Sequence, residues 1–342
     1  MSINAVKLLL CTISAAFLLT GSEPTIPYGW PEPVYALPTG EEGAARAMLG
    51  RALFYDPLLS SDNTVSCASC HSQTSAFAHN DHKLSHGIAD RIGTRNAPAL
   101  QNLAWKKTFM WDGAVHHIDA QALAPISNFA EMDESLPHII AKLRQSRIYP
   151  ELFKKAYGDT AMTGERTLKA LSGFMLTLIS ANSKYDKVMR KENGFSFTES
   201  EQRGYSLFEQ NCASCHAGPL FTNDKFESNG LAEDPALKDI GRGTITGKKS
   251  DNGLFKVPSL RNVELTYPYM HDGRFPNLQM VLFHYTEGIK PSNKLSHQLR
   301  KKISLNEQDK GDLINFLKTL TDEQFITDSR YSYPRQILRP SP

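Results

Sequence analysis

The pattern of apolar and polar residues separates a short N-terminal segment from a long helical remainder. Residues from Leu8 to Leu19 are mostly apolar, over a length too short to span a bilayer. Lys7 precedes this run and Thr20-Gly21-Ser22 ends it, as in a secretory signal peptide. We therefore predict a signal peptide over residues 1–22 and a periplasmic mature protein, with an uncleaved membrane anchor as the alternative.

The rest of the chain is patterned mainly for α-helices. Leu168 to Met189 has the periodicity of one long amphipathic helix. Thr198 and Glu201 have the spacing of a capping box, and Ser304 and Glu307 repeat that spacing before another predicted helix. That last helix places three leucines on one face: Leu313, Leu317 and Leu320. Strand signals are weak throughout, so the sequence predicts a mainly α fold.

Composition and charge narrow the class of protein. A chain of 342 residues is long enough for two domains that each bury a core. Its 40% hydrophobic and 22% charged residues are typical of soluble globular proteins. The net charge of +2 and the lack of a Lys/Arg run argue against a nucleic-acid partner.

Four of the five cysteines lie in two identical Cys-Ala-Ser-Cys-His segments, Cys67 to His71 and Cys212 to His216, whereas Cys11 falls in the predicted signal peptide. A c-type haem needs two thiols about one helical turn apart and an adjacent imidazole that reaches the iron. The sequence therefore predicts two covalently bound haems c. Their attachment sites would be Cys67, Cys70, Cys212 and Cys215, and their proximal iron ligands His71 and His216.

Two other uses of these cysteines fit less well. A four-cysteine zinc site usually has its two pairs within about 20 residues of each other, whereas these pairs are 145 residues apart. Two separate disulfides would leave the adjacent histidines without a role.

The two motifs have matching flanks, which indicates an internal repeat. Pro98 to Asn102 and Met110 to Gly113 follow the first motif, and Pro258 to Asn262 and Met270 to Gly273 follow the second at a constant offset of 160 residues. The second copy has 15 extra residues, in a Gly/Lys/Asp-rich loop at 239–253. We predict two cytochrome c-like haem domains, at residues 23–190 and at residues 191–342, the latter with a C-terminal tail.

The repeat predicts different distal sides for the two haems. Tyr285 lies 160 residues after Pro125, and proline has no side-chain atom that can bind iron. The N-terminal haem would then be open to a small oxidant such as hydrogen peroxide, while the C-terminal haem would relay electrons. Gln121 and Glu131 flank Pro125 and are candidates for proton transfer during O–O cleavage. The alternative for Glu131 is a solvated charge in an acidic stretch.

Taken together, these motifs resemble the bacterial di-haem cytochrome c peroxidase and MauG family. The resemblance extends from about Tyr28 to Pro334 and is most specific in the two haem motifs, in Arg95 to Pro98, in Phe109 to Gly113 and in Val257 to Asn262. It implies that Trp111, otherwise expected to be a core aromatic, lies between the haems and helps electrons cross. It also implies that Gln121, Pro125 and Glu131 line the peroxide-binding pocket, with Glu131 as the acid-base catalyst.

The resemblance further implies a calcium ion between the domains. Its ligands would be Asn102 and the backbone carbonyls of Thr266 and Pro268, since hard oxygen ligands suit calcium.

One position departs from ordinary peroxidases of the family. They have a methionine as distal ligand of the second haem, whereas Tyr285 matches MauG-like members, with His284 and Met280 as rival ligands. A tyrosinate would lower the potential of that haem and favour high oxidation states. His82 and His86 lie in the loop that often carries a histidine capping the first haem, but their surroundings match poorly, so we expect an open site.

Three functions follow as hypotheses. The first is a peroxidase that reduces hydrogen peroxide to water with electrons from a small cytochrome c or cupredoxin. The second, favoured by Tyr285, is a MauG-like oxidase that modifies a partner protein. The third is a di-haem electron carrier without a substrate. The sequence leaves the electron donor and the oligomeric state open, a homodimer included.

Overall fold

The computed structural model describes residues 23–339, so the predicted signal peptide lies outside the described residues. Helices dominate, as predicted. The N-terminal part contains α1 (Gly40–Tyr55), α2 (Cys67–Cys70), α3 (Ile118–Gln121), α4 (Leu123–Ser127), α5 (Leu136–Gln145), α6 (Tyr149–Tyr157), α7 (Gly164–Thr177) and α8 (Lys184–Met189).

The C-terminal part repeats this organisation with one small sheet. Its elements are α9 (Glu199–Asn211), β1 (Phe226–Glu227), α10 (Arg242–Thr246), β2 (Phe255–Lys256), α11 (Leu278–Phe283), α12 (Glu307–Lys318), α13 (Glu323–Thr327) and α14 (Arg335–Leu338). The two strands are antiparallel, with Phe226 paired to Lys256 and Glu227 to Phe255. Every helix within residues 23–339 is too short or too polar to cross a membrane.

The predicted repeat is visible in the packing of the two domains. In the first, α1 crosses α7 at Gly50, where a Cβ atom would overlap the carbonyl oxygen of Ala170. In the second, α9 crosses α12 at Gly204, where a Cβ atom would overlap the carbonyl oxygen of Asp312. In both domains the first helix of the crossing precedes the Cys-x-x-Cys-His motif in the chain. Each domain has its own buried core.

Four local predictions had mixed outcomes. The capping box at Thr198 and Glu201 is confirmed. The other capping box is two residues later than predicted, because Asn306 and Asp309 cap α12 instead of Ser304 and Glu307. The three predicted leucines are buried in the second core: Leu313, Leu317 and Leu320. The 239–253 segment is not only a loop, because it contains α10.

The predicted continuous helix from Leu168 to Met189 is wrong. It is broken between Thr177 and Lys184 because distant side chains bind the backbone there. The amide of Ser180 donates to Oδ1 of Asn102 at 2.9 Å, and the amide of Asn182 donates to Oδ2 of Asp322 at 2.9 Å. Ser183 then caps α8.

The C-terminal tail packs on the first domain, although the sequence assigned it to the second. Nε of Arg51 donates to the carbonyl of Ser332 at 2.7 Å, and the hydroxyl of Tyr55 donates to the carbonyl of Tyr331 at 2.7 Å. Phe325 and Tyr331 are buried in the first core. The tail therefore joins the two domains.

Candidate functional site

Both predicted proximal histidines are held by backbone carbonyls. Nδ1 of His71 lies 2.9 Å from the carbonyl oxygen of Phe77, and Nδ1 of His216 lies 3.2 Å from that of Phe221 and 3.1 Å from that of Pro258. Phe77 and Phe221 have φ values of 60° and 52°, a left-handed conformation shared by the two copies. A proton on Nδ1 leaves the Nε2 lone pair available for iron.

Burial lowers the pKa of both histidines to about 4, with the hydrogen bonds to backbone carbonyls opposing the shift. Both rings are therefore neutral at pH 7, the form that binds a metal. The four cysteines next to them form no disulfide with one another. This arrangement of paired thiols with one neutral, oriented imidazole fits a covalently attached haem at each motif.

A cavity of about 250 Å³ adjoins the second motif. Its wall includes Cys212, Cys215 and His216, with apolar side chains such as Phe208 and Leu282. The cavity continues to the first domain at Trp111. Its apolar lining and its position beside the thiols fit a haem attached at Cys212 and Cys215.

Tyr285 is the predicted distal ligand that lies in the wall of this cavity. It belongs to a π-helical turn, His284–Gly288, that follows α11. Burial raises its pKa to about 12, a hydrogen bond to Asn229 opposes that shift, and Cys212 and Cys215 are close enough to add to it.

The two rival ligands are placed differently. Met280 is 42% exposed. Nε2 of His284 lies 3.1 Å from the carbonyl oxygen of Asn229, which occupies that nitrogen.

The offset between Pro125 and Tyr285 is matched by the local structure. α3 and α11 begin at Ile118 and Leu278, also 160 residues apart, and the preceding residues, His117 and Asn277, cap them with their side chains. The comparison of the two distal sides therefore rests on equivalent elements.

Glu131 faces the first haem motif. Its charge is close enough to add to the raised pKa of Cys67 and of Cys70, which burial lifts to about 12 and about 11. Burial also raises the pKa of Glu131 itself, and a hydrogen bond from Nδ2 of Asn128, at 3.0 Å, partly offsets this.

The position of Glu131 separates it from the neighbouring acids. Asp133 forms an ion pair with Arg91 at 2.7 Å, and Glu134 forms one with Lys142 at 2.8 Å. The backbone of Glu131 is fixed by the amide of Ile88, which donates to its carbonyl at 2.8 Å. Glu131 is thus a half-buried carboxylate near a haem motif and without a cationic partner among residues 23–339, unlike the acids beside it.

Gln121 and Pro125 lie on the short helices that lead to Glu131. Gln121 ends α3, is buried, and lines a second cavity of about 60 Å³ together with Trp111. The carbonyl of Pro125, in α4, accepts a hydrogen bond from the amide of Met132 at 3.2 Å. This bond brings the turn that carries Glu131 back toward α4.

Trp111 lines both cavities. Its Nε1 donates to the carbonyl of Asn96 at 2.9 Å, and its own carbonyl accepts from the amide of Lys256 at 2.8 Å. The Trp111 side chain therefore lies between the cavity lined by His216 and the cavity lined by Gln121.

The predicted calcium ligands are only partly brought together. Thr266 and Pro268 line the larger cavity, but both polar atoms of the Asn102 amide are bonded to Ser180, at 2.9 and 3.1 Å. The Asn102 side chain is therefore held by Ser180 and does not share the cavity wall with Thr266 and Pro268, so we do not retain it as a ligand.

Asn96 shares the cavity wall with Thr266 and Pro268, and the sequence reasoning missed it. Its Nδ2 donates to Lys83 at 3.2 Å. Among residues 23–339, no hydrogen bond is directed at Oδ1 of Asn96 or at the carbonyls of Thr266 and Pro268. The sequence did contain a signal for Asn96, because it lies in the Arg95 to Pro98 segment, one of the most specific parts of the family resemblance.

The loop histidines pack against each other beside the first motif. The rings of His82 and His86 are stacked with centroids 4.1 Å apart. The carbonyl oxygen of His86 lies 3.4 Å from Sγ of Cys70. The expectation of an open first site stays a prediction.

Comparison with known proteins places this geometry in a family. Residues 44–194 match the family model described as di-haem cytochrome c peroxidase, and residues 201–321 match the cytochrome c model. The chain is 34% identical over 292 residues to the methylamine utilization protein MauG of Methylorubrum extorquens, covering 81% of this chain and 78% of that protein. It is also 34% identical over 289 residues to the cytochrome c551 peroxidase of Nitrosomonas europaea, covering 83% and 82%.

A solved structure gives the same result. The crystal structure of a MauG-like protein associated with microbial copper homeostasis superposes with a TM-score of 0.83 at 33% identity, over 90% of this chain and 98% of that one. Two c-type haem domains imply two covalently bound haems c, and the mainly α fold with two cytochrome c-like domains is confirmed. The chain is an oxidoreductase that belongs to the di-haem cytochrome c peroxidase and MauG family.

Proposed function

We propose that this protein is an exported, periplasmic di-haem peroxidase that reduces hydrogen peroxide to water with electrons from a small cytochrome c or cupredoxin. The observation that supports this most is the half-buried carboxylate of Glu131 beside Cys67 and Cys70. Relatives named as peroxidases at 34% identity agree with it.

The chain's own residues have separate tasks in this scheme. When bound, the haems supply the iron that takes peroxide and the electrons that reduce it. Glu131 accepts a proton from one peroxide oxygen and returns it to the departing oxygen, and its raised pKa makes it a better base than an exposed carboxylate. Gln121 orients the peroxide by hydrogen bonding, and Pro125 offers no atom that could close the distal side.

The second domain holds the electron relay. Tyr285 lines the same cavity as Cys212, Cys215 and His216, which supports it as the distal ligand of the haem that these residues would hold. Trp111, fixed between the two cavities, lies on the route between the domains.

The matched pair Glu131→Gln and Asp133→Asn tests the proposal. Turnover of peroxide with a reduced small cytochrome c should fall about 10²–10⁴-fold in Glu131→Gln. Asp133→Asn, which removes a carboxylate paired with Arg91, should retain the wild-type rate at equal haem content. Full turnover by Glu131→Gln would refute the assignment. An oxidised spectrum in which both haems are low-spin would favour the electron carrier instead.

Tyr285 supports a second candidate, a MauG-like oxidase that modifies a partner protein. Its position in the cavity wall, with Met280 exposed, matches the distal ligand expected for that class. A peroxide-dependent mass shift on a co-incubated protein, lost in Tyr285→Phe but kept in Tyr267→Phe, would establish it. Peroxide turnover without any such shift leaves the peroxidase as the function.

We also propose a calcium ion bound by Oδ1 of Asn96 and by the carbonyls of Thr266 and Pro268. These three residues line one cavity wall, and no donor within residues 23–339 forms a hydrogen bond to any of the three oxygens. Calcium prefers oxygen ligands of this kind.

A further inference from the structure

Two lysines, one from each domain, lie where the two cavities meet. Lys106 and Lys256 line both the larger and the smaller cavity. Lys256 is 6% exposed, and its ammonium contacts the carbonyl and the hydroxyl of Thr108. Within residues 23–339 the ammonium of Lys106 makes no hydrogen bond to the protein, although Lys106 lines both cavities.

The protein supplies too little negative charge for these lysines. Asp224 is the acid that faces them, with Oδ1 3.4 Å from Nζ of Lys256. Arg242 adds a third positive charge over the ring of Phe226. Burial lowers the pKa of Lys256 to about 8 and lowers that of Lys106, while Asp224 opposes both shifts without cancelling them.

A buried ammonium without a full partner is costly unless an anion joins it. The cavity that Lys106 and Lys256 line also contains both cysteines and the histidine of the second haem motif. The thioether bonds use the vinyl groups of a haem, so its anionic groups are the two propionates.

We propose that Lys106 and Lys256 bind a propionate of the haem attached to Cys212 and Cys215. Lys256 directs two donors at Thr108 and faces Asp224 with the rest of its ammonium, so it contributes mainly positive charge. Lys106 would supply the direct hydrogen bonds to the propionate. The backbone amide of Lys256 donates to the carbonyl of Trp111, which ties this lysine to the segment that carries the indole. Compensation of the propionate charge by two ammonium groups favours the reduced haem and raises its midpoint potential. The inference rests on haem attachment and not on the reaction proposed above.

Substitution of each lysine in the haem-loaded protein tests this. Lys256→Met and Lys106→Met should shift the propionate bending band in the resonance Raman spectrum and lower the midpoint potential of the second haem more than that of the first. A tenfold loss of preference for the reduced haem corresponds to about 59 mV. Lys142→Met is the matched control, because that half-buried lysine pairs with Glu134 away from both cavities.

Haem content and circular dichroism show whether each variant folds, and Lys106→Met should fold because its ammonium has no hydrogen bond to lose. An unchanged band and unchanged potentials in Lys106→Met would overturn the proposal. A free anion bound at the lysines instead would reveal itself in the wild type, since replacing chloride with acetate at constant ionic strength would move the potential. We expect no such movement, because the propionate fills the site.

Discussion

Arg261 offers the sharpest test of how the second haem motif is supported. Its side chain has no exposed surface. Two of its nitrogens donate to Asp186 at 2.9 and 2.7 Å, and Nε donates to the carbonyl of Pro219 at 2.6 Å. Pro219 lies in the turn that carries Phe221, whose carbonyl holds His216. Arg261→Met keeps the volume of the side chain but removes every one of these bonds.

The expected loss of stability follows from what remains behind. Asp186 is 6% exposed and would become a buried carboxylate without its cation. Breaking a buried ion pair from one side costs about 3–5 kcal/mol. Removing the charge as well, in the double variant Arg261→Met with Asp186→Asn, should recover most of that loss, since asparagine can still cap α8 through Ser183.

The loss should depend on pH with a definite sign. Burial raises the pKa of Asp186, but Arg261 and Ser183 outweigh burial and hold it below its usual 3.8. The pair therefore stabilises the folded protein above pH 3.8 and loses this effect as pH falls through the lowered pKa. Without Arg261, burial favours the protonated acid, so the difference between wild type and variant should shrink in acid.

Urea unfolding followed by far-UV circular dichroism at pH 7 and at pH 4 measures these differences in free energy. Three results would refute the reasoning: Arg261→Met as stable as the wild type at pH 7, a double variant no more stable than the single one, or a difference that grows in acid. The haem spectrum of the same samples reports whether His216 keeps its orientation.

Three further predictions concern other parts of the molecule. The rate kcat/KM for peroxide should rise with pH through a midpoint above 4.5, because burial raises the pKa of Glu131 and the base must be deprotonated, and Glu131→Gln should lack this limb. Calcium should raise the melting temperature of the EDTA-treated wild type but not of Asn96→Ala, and a calcium response lost equally in Asn102→Ala would contradict our choice of ligand. Gly204→Ala should lower the free energy of unfolding by about 1–3 kcal/mol, because the new methyl group would overlap Asp312. Gly311→Ala, with open space around it, should raise that free energy by about 0.5–1 kcal/mol. Equal effects of the two variants in urea unfolding would contradict the close helix crossing at Gly204.

The sequence predicted those features that depend on short spacing or on the repeat. The haem motifs, the cap at Thr198 and the matching starts of α3 and α11 all follow from residues close in the chain. The repeat also identified Tyr285 as the residue of the second copy that is equivalent to Pro125 of the first, without any knowledge of the fold. These features can be predicted because each copy forms the same local structure around its own proximal histidine.

The failures share a different cause, which is contact between distant residues. The break after Thr177 exists because Asn102, 78 residues earlier, binds the amide of Ser180. The same bond holds the side chain of Asn102, which is why we do not propose it as a calcium ligand. The charge excess around Lys256 likewise depends on the placement of Thr108 and Asp224 from two domains. Periodicity and spacing do not report these partners.

The contacts at the domain interface suggest how two similar domains can hold haems with different distal residues. The duplicated Pro-x-Leu-x-Asn segments meet there: Nε2 of Gln101 donates to the carbonyl of Arg261 at 2.5 Å, and the amide of Asn262 contacts Oε1 of Gln101. Pro258, in the second segment, also accepts from His216. The shared segments thus support the proximal side of the second motif, while Pro125 and Tyr285 lie on other elements, α4 and the π-helical turn. Neither Pro125 nor Tyr285 takes part in the bonds of Gln101 with Arg261 and Asn262, so we expect substitution at position 125 or 285 to leave those bonds in place, and the proposed division between reaction and relay depends on that separation.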